Sequence, residues 1–134
     1  MVESETDKSM RIVIESVGKS DLRPILKLLS DDVSYFFASG IEHDKNGILS
    51  FFSRISSLWP DREYHLTNWA SKGNTVWLET THSMTHVNEF HGVPPTNKRI
   101  ENQVVWILEF ETGKITQIRE YEKKLEYMIR QIQE

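Results

Sequence analysis

Apolar and polar residues alternate along three runs between residues 76 and 122, which is the pattern of β-strands with one buried face. The runs span Val76 to Val87, Gln103 to Phe110 and a third segment that starts at Lys114. They are rich in Val, Ile, Thr, Trp and Phe, and turn-forming residues such as Thr112-Gly113 bound them. The pattern predicts one continuous antiparallel meander.

The second run indicates which face of this sheet is buried, because its even-numbered residues are large and apolar: Val104, Trp106, Leu108 and Phe110. Alternate strand residues point to opposite faces, so the even-numbered face is predicted to be the inner one. In the third run the same parity is an assumption, since Ile115 and Tyr121 would favour the odd positions. If even parity holds in the other two runs, the inner wall also carries the residues Val76, Leu78, Thr80, His82, Met84, His86, Thr116, Ile118, Glu120 and Glu122.

The residues before the meander show helical spacing. Residues 1 to about 5 are predicted to form a disordered tail, and a first helix runs from Thr6 to Gly18 with the apolar stripe Met10, Val13, Ile14 and Val17. A second helix is expected to start at the Ser20-Asp21 cap and to bury the residues Ile25, Leu26, Leu28 and Leu29. A third begins at Asp44 and ends at Pro60.

Two short strands and a last helix complete the pattern. Val33 to Phe37 and Arg62 to Ala70 are predicted strands, and residues from about 122 to 134 form a C-terminal helix. Helices come first and most strands follow, which favours one α+β domain over residues 1–134. Its helices are expected to pack on one face of a curved antiparallel sheet.

Composition and charge limit the function classes. The 134 residues include 16 basic and 20 acidic side chains and no cysteine, and no polybasic segment occurs. This argues against nucleic acid or an anionic membrane as a partner and excludes disulfides and thiolate zinc sites. No apolar run is long enough to span a membrane or to act as a signal, so we expect a cytoplasmic protein.

Three histidines, His82, His86 and His91, could suggest a metal site. On a strand, however, four residues span roughly 13 Å, which is too far for two of them to bind one ion. The sequence therefore predicts no metal.

The chain resembles the SnoaL-type polyketide cyclases. The likeness is carried by three motifs: Asp31-Asp32-Val33, the Gly92-Val93-Pro94-Pro95-Thr96 crossing with Arg99, and Gly113-Lys114-Ile115 leading to Arg119-Glu120-Tyr121. Those cyclases belong to the nuclear transport factor 2-like (cystatin-like) superfamily, with limonene epoxide hydrolase, scytalone dehydratase and steroid delta-isomerase. The resemblance implies a conical half-barrel closed by N-terminal helices, and a homodimer that pairs through the outer face of the sheet.

The resemblance also implies roles for single residues. Glu120 stands seven residues after the glycine of Gly113-Lys114-Ile115, where the cyclases have their general acid/base. Tyr35 matches a tyrosine that positions the attacking water in the epoxide hydrolase. Thr80 and His82 replace the arginine and second carboxylate of that hydrolase. Apolar side chains stand where relatives keep polar ones: Phe37, Val104 and Trp106.

Each candidate has a structural alternative. Glu120 on an apolar wall would have a raised pKa suited to proton transfer, but with odd parity it would be a surface residue beside Arg119. His82 is either the proton partner of Glu120 or a histidine that donates to a backbone carbonyl. Tyr35 either donates a hydrogen bond to a developing oxyanion or is a core tyrosine.

Together these observations predict a protein that binds a small, mainly hydrophobic organic molecule. If it is an enzyme, it needs no cofactor and performs cyclisation, isomerisation or hydration and dehydration with Glu120, His82 and Tyr35. The alternative is a non-catalytic ligand-binding or dimerisation module. The predicted binding residues are Phe37, Trp59, Thr80, Met84, Asn102, Val104, Trp106 and Ile118.

Overall fold

The computed structural model describes residues 3–134, and in this range it contains four helices and one six-stranded sheet. The helices are α1 (Glu5–Gly18), α2 (Arg23–Leu26), α3 (Lys45–Leu58) and α4 (Leu125–Gln133). The predicted tail lies partly outside the described residues, at Met1 and Val2, and α1 begins within the rest of it. No helix in residues 3–134 has both the length and the apolar character needed to cross a bilayer.

The strands follow the order β2-β1-β6-β5-β4-β3 across the sheet. Their bounds are β1 (Leu29–Phe37), β2 (Glu42–His43), β3 (Glu63–Lys72), β4 (Thr75–Thr85), β5 (Arg99–Glu111) and β6 (Lys114–Glu122). Neighbouring strands are antiparallel in every pair except β1 with β6, which is parallel. The predicted α+β class with a curved sheet is confirmed, with this one parallel pair as a correction.

The predicted inner face is confirmed in β4 and β5. Even-numbered residues alternate with more exposed ones along both strands, and the buried set includes Val76, Leu78, Met84, Val104, Trp106 and Leu108. Trp77, on the opposite face, is exposed. Helix α1 covers this inner face with Met10, Val13 and Val17, which are buried in the same cluster as the strand residues.

An irregularity in β6 decides where its carboxylates point. Phe110 pairs with Ile115, but Glu109 pairs with Gln117, so Thr116 is an extra residue in the strand. Such a bulge reverses the facing of the residues that follow it. Ile115 is therefore buried, contrary to the predicted parity, whereas Ile118 and Glu120 are buried as predicted. Thr116 was predicted to face inward with them and is the extra residue instead.

The predicted second helix is wrong beyond its first turn. Helix α2 has four residues, and Leu29 already belongs to β1, where it pairs with Ile115. The amide of Ile115 also donates to the carbonyl of Leu28 at 2.8 Å. Pairing with β6 thus replaces the helical hydrogen bonds of this segment. The third helix is confirmed, and the Asp44 carboxylate caps it by accepting from the Gly47 amide at 2.8 Å.

Candidate active site

Glu120 lies at the centre of a buried hydrogen-bond cluster. It stands opposite Trp106 on β5 and next to Phe37 on β1. The Tyr35 hydroxyl donates to Glu120 Oε1 at 2.5 Å, and the Trp106 indole N–H donates to the same oxygen at 2.7 Å. Three adjacent strands therefore fix one carboxylate oxygen.

Burial sets the protonation of this cluster. Glu120 is 5% exposed, and burial raises its pKa to about 7, while the hydrogen bonds from Tyr35 and Trp106 act in the opposite direction. Glu122 adds to the rise, and Arg62 reduces it. Burial and the nearby Glu120 charge hold the pKa of Tyr35 well above its usual value, so Tyr35 stays a donor. Glu120 can thus gain or lose a proton near neutral pH.

The second oxygen of Glu120 is the one left for a ligand. Oε2 has no hydrogen-bond partner among residues 3–134, and it is not one of their fully enclosed unpaired atoms. Glu120 also lines a cavity of about 270 Å³. A residue that lines the cavity therefore has one carboxylate oxygen that no described residue holds.

This cavity lies between the inner face of the sheet and helices α3 and α4. Its apolar wall is mainly aromatic and includes Phe37, Phe51, Phe52, Trp59, Tyr64 and Phe90. Polar groups enter it at six positions: Arg62, His82, His91, Asn102, Glu120 and Glu122. A few polar groups in an apolar cleft are typical of a small-molecule site.

His82 has hydrogen-bond partners other than Glu120. Arg62 Nη2 lies 2.7 Å from Nδ1, and Thr80 Oγ1 lies 2.9 Å from Nε2. The Thr80 hydroxyl donates to the Val104 carbonyl at 2.8 Å, so its oxygen must accept from His82. His82 is therefore neutral, with its hydrogen on Nε2 and with Nδ1 accepting from Arg62.

Electrostatics reinforce this state of His82. Burial, with a further contribution from the Arg62 cation, lowers the pKa of His82 to about 2. Its ring lies 5.0 Å from Trp106 and 4.7 Å from Tyr64, measured between ring centroids. A role as proton partner of Glu120 stays a prediction, and the contacts describe a neutral imidazole that fixes Arg62.

A comparison with known protein families covers most of the sequence. A family model described as the SnoaL-like domain matches residues 11–118. The chain belongs to the SnoaL-like domain family. This confirms the resemblance found in the motifs. No curated protein matches this SnoaL-like chain significantly.

Solved structures share the fold of this SnoaL-like domain. AclR from Streptomyces galilaeus, a proposed hydroxylase, is 22% identical with a TM-score of 0.79, covering 96% of this chain and 85% of AclR. IdmH from Streptomyces antibioticus, a proposed polyketide cyclase, is 20% identical with a TM-score of 0.80, covering 96% and 99%. TsrD from Streptomyces laurentii is 18% identical with a TM-score of 0.74, covering 98% and 97%. At these identities the likeness establishes the fold.

The predicted binding residues of this SnoaL-like domain fall into three groups. Four line the 270 Å³ cavity: Phe37, Trp59, Asn102 and Trp106. Ile118 instead lines a smaller apolar cavity of about 20 Å³, together with Tyr35 and Trp106. The other three are buried: Met84 lines neither cavity, and Thr80 and Val104 line a separate groove of about 390 Å³. Contact of these three residues with a ligand stays a prediction.

Two charged groups line this SnoaL-like site that sequence reasoning did not choose as site residues: Arg62, whose facing it left unassigned, and Glu122, which the even parity placed on the inner face. Extending the even parity to the predicted strand from Arg62 to Ala70 would have found the arginine, because Tyr64 pairs with His82 on the inner face. Glu122 follows Glu120 at the strand period, and the Asn102 amide donates to it at 3.1 Å. Burial raises the pKa of Glu122.

His86 and His91, the other two histidines considered as metal ligands, make no hydrogen bond to His82 among the described residues. His86 Nδ1 lies 2.9 Å from the Thr96 hydroxyl, and His91 stands in the loop beyond it. Across residues 3–134, no group of three or more His, Cys, Asp or Glu side chains could hold a metal ion.

Proposed function

We propose that this SnoaL-like domain is a cofactor-free acid/base enzyme for a small, mainly hydrophobic organic molecule. Glu120 is the general base and acid. The observation that carries the proposal is the asymmetry of its carboxylate: Tyr35 and Trp106 hold Oε1, and Oε2 remains available beside the cavity. A pKa of about 7 suits a group that must both take and return a proton.

The chemical step is a proton transfer that balances without a co-reactant. Glu120 Oε2 takes a proton from a carbon next to a carbonyl group, and the electron pair of the broken C–H bond moves to the carbonyl oxygen. Return of the proton to another atom completes an isomerisation. In a cyclisation the carbanion attacks a second carbonyl group, and the oxygen of that group takes the proton back from Glu120. Proton removal from water by the same oxygen would begin a hydration.

The cavity supports a compact, hydrophobic substrate. Its volume of about 270 Å³ lies near the lower end of the roughly 300–1,000 Å³ common for ligand pockets. Aromatic rings such as Phe37, Phe52 and Trp59 can stack on a flat ring system and exclude water from Glu120. His82 receives no proton in this proposal, because it is a neutral donor to Thr80 and acceptor from Arg62.

Hydrogen–deuterium exchange tests the proposal directly. The substrate is 2-tetralone, a bicyclic ketone with an acidic carbon next to its carbonyl group, and NMR follows the loss of that proton signal in D₂O. The wild type should accelerate exchange, and Glu120→Gln should lower the protein-dependent rate by about 100-fold or more, because general-base catalysis contributes factors of this size. Glu79→Gln, on the exposed outer face, is the matched control.

Two outcomes count against the acid/base role. Exchange at the wild-type rate in a folded Glu120→Gln variant would refute it. Binding of 2-tetralone by the wild type without any acceleration would favour the second candidate function, a non-catalytic binding module. The aromatic lining of the cavity supports that alternative, since an apolar ligand needs no carboxylate to be held there.

Homodimerisation through the outer sheet face is part of the proposal, as is a cytoplasmic location. The outer face presents Trp77 and Tyr121, which are 37% and 48% exposed, and Val105 and Ile107 stand between them. Contiguous apolar side chains on a sheet surface are typical of an interaction site.

A further inference from the structure

Arg62 brings a positive charge to a cavity that is otherwise aromatic and acidic. Among the described residues that line the cavity, it is the only lysine or arginine. Arg62 is half-buried as a residue, and no carboxylate within residues 3–134 lies within 4.0 Å of its guanidinium nitrogens. The two nearby acids have other partners, since Tyr35 and Trp106 bind Glu120 and Asn102 binds Glu122.

The hydrogen bonds of Arg62 leave donors unused. A guanidinium has five N–H groups. Nη2 donates to His82 Nδ1 at 2.7 Å, and Nη1 donates to Met84 Sδ at 3.2 Å, a weak acceptor. Nε is enclosed and has no partner among the described residues. Each terminal nitrogen therefore keeps one N–H with no acceptor within hydrogen-bond distance among the described residues. The Tyr64 hydroxyl nevertheless lies close enough for its interaction with Arg62 to offset part of the rise that burial causes in the pKa of Tyr64.

The guanidinium is also fixed before any ligand binds. The neutral His82 ring accepts from one terminal nitrogen, and Thr80 holds that ring from its other side at 2.9 Å. The carbon of the guanidinium lies 5.7 Å from the centre of the Tyr64 ring, which gives a cation–π contact. A fixed cation with free donors and no carboxylate within 4.0 Å among residues 3–134 is suited to an anionic oxygen of a ligand.

We infer that Arg62 binds an anionic oxygen of the substrate, so the ligand class is a small ring compound that carries a carboxylate, an enolate or an acidic phenolate. This inference rests on the proposed function, because it concerns the same cavity. In the proton transfer to Glu120, the electron pair from the broken C–H bond ends on the carbonyl oxygen, and Arg62 donates to that oxygen. The step needs no oxidant, and its proton stays on Glu120.

A pair of ligands that differ only in charge tests the inference. The pair is 2-naphthoate, which is an anion at pH 6, and 2-naphthamide, which has the same rings and no charge. At pH 6 Glu120, with a pKa of about 7, is mainly protonated and does not repel the anion. Calorimetry on the wild type should show naphthoate binding about tenfold more tightly, the factor expected when a hydrogen bond gains a charged partner.

Variants then assign the preference to Arg62. Arg62→Gln should reduce the ratio of naphthoate affinity to naphthamide affinity to about one. Arg62→Lys should keep part of the preference, because lysine keeps the positive charge but lacks the planar set of guanidinium donors. Arg54→Gln is the matched control. Arg54 lies over the Phe51 ring in the groove beside the cavity, so this variant should keep the wild-type ratio. Circular dichroism confirms that each variant is folded.

The outcomes separate this inference from the proposed function. Equal affinity of the wild type for both compounds would overturn the inference and leave the ligand-binding cavity intact. A preference that survives in Arg62→Gln would also overturn it. Failure of the wild type to bind either compound would overturn the inference and count against the proposed function as well. A 2-tetralone exchange rate that depends on Glu120, without an anion preference, would refute only the role of Arg62.

Discussion

The buried carboxyl group of Glu120 should make the stability of the fold decrease as the pH rises, and Glu120→Gln should remove that decrease. The pKa of this group is about 7 in the folded protein against a usual value of 4.5. Below pH 4.5 both the folded and the unfolded chain hold the proton. As the pH rises toward 7, the unfolded chain releases it and the folded chain keeps it, so unfolding becomes more favourable.

The size of this effect follows from the two pKa values. Each pH unit of difference corresponds to about 1.4 kcal/mol, so the shift is worth about 3 kcal/mol in the free energy of unfolding. Because Glu120 is only 5% exposed, solvent screening reduces this little. Glutamine keeps a carbonyl oxygen that can accept from Tyr35 and Trp106, and it does not ionise. The variant therefore isolates the charge from the packing.

Guanidinium denaturation, followed by tryptophan fluorescence between pH 4.5 and 8, measures the effect. The difference in unfolding free energy between Glu120→Gln and the wild type should grow by about 3 kcal/mol across this range. Glu79→Gln, on the exposed outer face, should follow the wild type. Parallel curves for the wild type and Glu120→Gln would refute the raised pKa, and with it the main electrostatic argument for acid/base chemistry.

Two further predictions concern the same cluster and the outer face. Tyr35→Phe removes one donor to the carboxylate and leaves Trp106, so it should raise the pKa of Glu120 by about one pH unit. The same denaturation series at several pH values measures this shift, and an unchanged midpoint of the pH dependence would contradict it. Trp77→Glu should convert a wild-type dimer to monomer in analytical ultracentrifugation, whereas Trp77→Phe should stay dimeric, and a monomeric wild type would rule out the proposed dimer.

Local alternation was enough to predict the inner wall, because the facing of a strand residue depends on its neighbours along the chain. Val104, Trp106 and Leu108 were placed correctly for this reason. The second helix failed because the partner of Leu29 is Ile115, which is far away in the sequence. Helical spacing and a buried strand end look alike over a few residues, and only the pairing with β6 separates them.

The inward position of Glu120 was predicted by assuming even parity in the last strand. The bulge at Thr116 makes that parity hold from Ile118 onward. Ile115 and Ile118 are both buried although they differ in parity, which a regular strand cannot achieve. That conflict in the sequence is itself a signal for an extra residue. The hydrogen-bond partners of His82 could not be predicted in this way. They depend on Arg62, whose long side chain crosses between strands.

The arrangement around Glu120 bears on the choice between an enzyme and a binding module. Near neutral pH the raised pKa costs the fold about 3 kcal/mol relative to a carboxyl group with its usual pKa. A cavity that only held an apolar ligand would be more stable with a neutral side chain at this position. Tyr35 and Trp106 both donate to one oxygen of this cavity-lining residue, and its other oxygen has no hydrogen-bond partner among residues 3–134. Acid/base chemistry uses both features, because it needs a carboxylate that is fixed in place, partly protonated at neutral pH and still able to reach the substrate.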